Sequence, residues 1–71
     1  MKIIIVGLHD DNVSRPSKPV EAEASTREEV EQAINACELP PNYYAAYVLV
    51  GRVTVWREGT WTEAGSSVNF A

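Results

Sequence analysis

Two hydrophobic periods alternate along the chain, and each predicts a type of element. Lys2 to Leu8 is an unbroken β-branched and apolar run, the pattern of a strand covered on both faces. Gly7 near its end fits a bulge or a close backbone approach. From Val20 to Ala24 the pattern becomes strict alternation, which sets Glu21 and Glu23 on the opposite side from Val20, Ala22 and Ala24. Alanine and glutamate are weak strand formers, so this segment belongs at a sheet edge.

A helical period then takes over. Val30, Ala33, Ile34 and Cys37 fall at i, i+3, i+4 and i+7, a narrow apolar stripe, while Glu28, Glu31, Gln32, Asn35 and Glu38 occupy the wet side. Ser25 with Glu28, or Thr26 with Glu29, supplies a capping box, and Pro40-Pro41 stops the element. The spacing predicts a helix over 26–38.

Tyr43 to Val50 and Val53 to Arg57 are rich in β-branched and aromatic residues, with Gly51-Arg52 placed for a two-residue type II′ hairpin turn. Glu58-Gly59 offers a second turn, and Thr60 to Glu63 a further strand. Asp10 to Pro19 carries two prolines, two serines and Asp-Asp-Asn, a loop composition. Residues 64–71 have no strong pattern; Val68 and Phe70 allow at most a brief pairing, with fraying the other reading. The predicted order is β-β-α-β-β-β, an α+β fold with a single antiparallel sheet of 4–5 strands and one helix across one face. At 71 residues the chain makes one domain, 1–71.

With both turns at two residues and no irregularity, Tyr47 would sit opposite Trp56 and Trp56 opposite Trp61, forming one aromatic row with Leu49 on the same face. Val48, Val50, Val53 and Val55 would line the other face. One helix covers only one of them. Either the valines pack under Val30, Ile34 and Cys37 and leave the rings as a contact surface, or the rings form the core and the valines face water. A bulge would change the register and this choice together.

Charge and composition narrow the functional classes. The formal net charge of −4 argues against a generic phosphate-backbone binder, whose footprint is basic. The longest apolar run falls well short of the roughly 18 residues of a membrane span. The first strand carries no small-residue cleavage site, so the expectation is a cytoplasmic protein without membrane contact. The lone Cys37 forms no internal disulfide and falls in the helix stripe, where an inert thiol is expected.

His9-Asp10-Asp11 is the one cluster resembling a metal or acid–base site. A zinc site takes three or four protein ligands, and the chain has one histidine and one cysteine, far apart. A polar loop is the simpler reading, so no cofactor, metal or catalytic set is expected. Tyr43, Tyr44, Tyr47, Trp56, Trp61, Arg52 and Arg57 are of the types enriched at binding hot spots. Glu28 and Glu31, with Glu38, Glu21 and Glu23, supply acidic groups suited to a basic partner surface.

The strand Val20-Glu21-Ala22-Glu23-Ala24-Ser25, the helix after it and the hairpin Val53-Thr54-Val55-Trp56-Arg57-Glu58-Gly59-Thr60-Trp61 together resemble small phage-encoded proteins, namely the anti-CRISPR proteins acting on type I surveillance complexes. Phage inhibitors of host RNA polymerase share a similar strand-then-helix outline. The likeness covers roughly residues 18–63 and transfers no functional residue. The 10–19 loop and the low lysine count depart from the basic members of that group, against direct contact with guide RNA. The resemblance implies a non-enzymatic inhibitor that occupies a surface of a host protein or protein–nucleic acid complex. The alternative is a homodimer or larger homo-oligomer that self-associates through its aromatic sheet face.

Overall fold

The computed structural model describes residues 1–16 and 19–67. The α+β fold and the expected β-β-α-β-β-β order are present, with one further strand and a short C-terminal helix. The elements run β1 (Lys2–His9), β2 (Asn12–Pro16), β3 (Val20–Glu23), α1 (Arg27–Ala36), β4 (Tyr43–Val50), β5 (Val53–Arg57), β6 (Thr60–Trp61) and α2 (Glu63–Ser66). Among the described residues the six strand segments fill five positions of one antiparallel sheet. β2 and β3 share the edge beside β1, and β4, β5 and β6 follow on its other side. No described helix is long and apolar enough to cross a membrane.

The segment read as a loop over 10–19 is therefore partly strand. Asp10 and Asp11 make a turn, and Asn12–Pro16 folds back on the end of β1, with His9 opposite Asn12 and Leu8 opposite Pro16. Proline is tolerated here because β2 lies at an edge, where a missing N–H breaks no inner ladder. The pairing expected of Val68 and Phe70 lies outside the described residues.

Helix α1 begins as its capping pattern dictates. Thr26 Oγ1 accepts from the Glu29 backbone N–H at 3.1 Å, and Glu29 Oε1 reaches back to the Ser25 N–H at 2.8 Å. The helix ends at Ala36, two residues before the expected Glu38, with Cys37 as an extended C-cap. In an α-helix the carbonyls of 36 and 37 would be met by the N–H groups of 40 and 41. Both positions are proline and have none. The turn that follows uses Pro41 and then Asn42 at φ +69, closed by the Tyr43 N–H donating to the Pro40 carbonyl at 3.1 Å. That geometry is type II, which needs the left-handed position Asn42 supplies.

The core lies between α1 and the sheet: Ile3 and Ile5 of β1, Ala24, Val30 of α1, Val48 of β4, and Val55 and Trp56 of β5. Val20, Ala22, Ala33, Ile34, Cys37 and Trp61 pack around it. Two adjacent residues of one strand, Val55 and Trp56, are both buried on this side, which regular alternation forbids. The ladder explains it. Val48 faces Trp56 while Leu49 faces Thr54, so Val55 is an extra residue, a β-bulge. A second bulge sits on β4, where Val6 faces Tyr47 and Gly7 faces Ala45, leaving Ala46 fully buried with no opposite residue on β1.

The Gly51-Arg52 turn forms at two residues with Gly51 at φ +62, as expected. At the next turn both Glu58 (φ +47) and Gly59 (φ +94) are left-handed, the type I′ form. β6 is shorter than the expected Thr60–Glu63. Thr62 instead caps α2, its hydroxyl accepting from the Gly65 N–H at 2.9 Å. The same hydroxyl donates to the Thr54 carbonyl at 2.7 Å, and the Thr62 N–H donates to the Val55 carbonyl at 3.1 Å. The turn into α2 thus closes part of the outer edge of β5.

Candidate protein-binding surface

The two bulges decide which side chains share the face away from α1. Directly paired residues lie on the same side of a sheet. Ile4 faces Leu49 and Glu21, Val6 faces Tyr47, and Leu8 faces Tyr44. Tyr47 in turn faces Arg57. The surface away from the helix therefore has an apolar centre of Ile4, Val6, Tyr47 and Leu49, each half-buried. Tyr44 joins Tyr47 on it although three positions separate them, because the bulge at Ala46 consumes a residue.

Its rim is charged. Glu21 and Glu23 flank it on the β3 side, where Lys2 Nζ pairs with Glu21 Oε1 at 3.1 Å. On the β5 side the Arg57 guanidinium lies over the Tyr47 ring, 5.5 Å from its centroid, and the Tyr44 hydroxyl donates to Glu58 Oε1 at 3.1 Å. Partial burial first, then the hydrogen bond and negative charge of Glu58, raise the Tyr44 phenol above its ordinary value.

The aromatic row expected from regular pairing does not form. Trp56 still faces Trp61, but the extra residue at Val55 turns both to the helix side, away from Tyr47. Tyr47 and Leu49 lie outside and Val48 and Val55 inside, as in the first of the two expected packings; the tryptophans follow the second. Trp56 is 9% exposed. Nor is β1 covered on both faces, since Ile4 and Val6 point away from α1 and are only half-buried.

The acidic groups also separate. Glu28, Glu31 and Glu38 are exposed on the helix layer, whereas Glu21 and Glu23 belong to the far face of the sheet, so they do not combine into one field. Arg52 is exposed in the β4–β5 turn. His9 accepts the Asp11 N–H at Nδ1 (3.1 Å) and meets Tyr43 edge-on at 5.2 Å, holding the β1–β2 turn.

On the helix side a second feature joins Trp56, Trp61 and Glu31. The Trp61 indole N–H donates to Glu31 Oε1 at 3.1 Å. Arg27 lies over the Trp61 ring at 5.2 Å while donating to the carbonyls of Gly65 and Ser66 at 3.3 and 2.6 Å. Beside them a cleft of about 220 Å³ is lined by Glu31, Ile34, Asn35, Trp56 and Gly59. Sequence reasoning passed over Ile4 and Val6 on one face and Arg27 and Asn35 on the other. Alternation along Lys2 to Leu8 held the signal for Ile4 and Val6; Tyr44, expected from its residue type, reaches the same face as Tyr47 through the bulge.

Compared with protein-family models, curated proteins and solved structures, the chain matches none.

Proposed function

We propose that this protein is a non-enzymatic protein-binding module of phage or mobile-element origin. It works in the host cytoplasm by covering a nucleic-acid-handling surface of a host complex, such as a CRISPR surveillance complex. One observation carries the reading: the sheet face away from α1 presents Ile4, Val6, Tyr47 and Leu49 with no described helix across it, and Arg57 and Tyr44 stand at its margin. An apolar centre with tyrosine and arginine at hand and charges around it is the composition of a contact surface. The net charge of −4 favours a basic partner, of the kind that otherwise holds nucleic acid. The mechanism is stoichiometric occupation.

Capture from host lysate tests it, using wild type beside a Tyr47→Ala/Arg57→Ala variant, followed by a nucleic-acid binding assay on the captured complex. Loss of capture in the variant, and loss of nucleic-acid binding by the complex, are expected. Equal capture by both forms removes this face from the account.

A second reading is self-association through the same face. A two-fold axis along the strands would lay the acidic β3 side of one copy over the β5 side of the other, which carries Arg57, the self-complementarity a symmetric dimer needs. Light scattering at high micromolar concentration decides; a strict monomer ends it.

A further inference from the structure

We propose that the cleft between α1 and the β5–β6 turn seats the guanidinium group of an arginine from a protein partner. This rests on the protein-binding reading above but uses the opposite layer of the molecule.

Three features make the cleft a site for an organic cation. Glu31, on its wall, is exposed, and no Lys or Arg lies within 4 Å of its carboxylate among the described residues. One of its oxygens accepts from Trp61, which fixes the carboxylate in place and leaves acceptor capacity on both. Next, Ile34 and Asn35 belong to the last turn of α1, which contains no basic residue. The partial negative charge of that helix end is therefore uncompensated within the helix. Finally, Trp56 lines the cleft, an aromatic side chain of the kind that attracts a cation.

The remaining lining selects among cations. No group of three His, Cys, Asp or Glu able to hold a metal ion occurs among the described residues. Ile34 and Trp56 instead offer apolar contact to an aliphatic stem. The Glu31 carboxylate and the Asn35 side-chain oxygen are acceptors one helical turn apart, which suits a planar donor fork better than a compact ammonium. The molecule's own nearby arginines are engaged elsewhere. Arg27 is bound to the carbonyls of Gly65 and Ser66, and Arg57 lies over Tyr47 on the other face.

The two tryptophans report on the site without added labels. N-acetyl-arginine amide is titrated into the full chain while the two indole N–H resonances are followed by NMR. A saturable displacement of the Trp61 resonance is expected, weakened about fivefold in Glu31→Gln. Glutamine can still accept the Trp61 bond, so the variant keeps the local packing, and Asn35→Ala, at an exposed position, gives an independent loss. A shift that never saturates, that sodium chloride of equal ionic strength reproduces, or that is unchanged in Glu31→Gln overturns the proposal. Equal binding of N-acetyl-lysine amide overturns the choice of arginine. No partner is present in this titration. A negative result removes the cleft alone, whereas capture indifferent to Tyr47 and Arg57 removes the sheet face alone.

Discussion

Tyr44 donates its phenolic hydrogen to Glu58 Oε1 at 3.1 Å, linking β4 to the turn after β5 on the sheet face away from the helix. The bond holds a turn residue in an unfavourable backbone state, since Glu58 lies at φ +47. Left-handed backbone costs a side-chain-bearing residue about 1–2 kcal/mol, less for asparagine. Glu58→Asn makes the turn Asn-Gly, the preferred type I′ pair. It is expected to raise stability by about 0.5–1 kcal/mol, read as a higher urea midpoint at unchanged slope. A lower midpoint would show that the bond to Tyr44 outweighs the relief.

The same pair has a pH signature. Burial and the neighbouring Glu58 raise the Tyr44 phenol above 10.0, so the folded state holds that proton more tightly than the unfolded chain. The resulting stability is fully present below 10.0 and declines as pH climbs through the folded value. Tyrosinate absorbance should show a phenol titrating above 10.0, and Glu58→Gln should lower its midpoint. A titration unchanged by Glu58→Gln would contradict this.

Gly65 is required for its size. A Cβ at this position would overlap the backbone carbonyl of Val55, and neither backbone gives way cheaply. Gly65→Ala should lift α2 from β5 and cost about 2–3 kcal/mol. Amide exchange should quicken first at Thr62, whose N–H donates to Val55. An unperturbed Thr62 amide would place the strain elsewhere.

Cys37 is half-buried at the helix C-cap, and burial pushes its thiol above 9.0. Alkylation at neutral pH should be several-fold slower in the folded protein than in urea. Equal rates would mean that the thiol is open to water.

The start of α1, both hairpin turns and the weak edge strand were legible because each depends on local chemistry: Thr26 with Glu29, Gly51, Gly59, and the alternating Val20–Ala24. The faces of the central strands were not. A bulge at Ala46 or Val55 is invisible in one strand, since alanine and valine suit a regular ladder equally well. Only the opposing residues Gly7 and Val6, or Leu49 and Val48, reveal it. One unnoticed residue at Val55 moved two tryptophans to the other side of the sheet. The strand Asn12–Pro16 was obscured for a related reason, as Pro16 signals a loop unless the position is known to be an edge.

The Thr62 cap has a wider consequence. With Thr54 and Val55 already satisfied by Thr62, the β5–β6 margin offers another chain little more than two residues to hydrogen-bond. Templated growth of strands needs two usable margins on every subunit, one to receive and one to pass on. A molecule sealed on one side can join a single neighbour and then terminates the series, so concentrated solutions should yield pairs rather than fibrils.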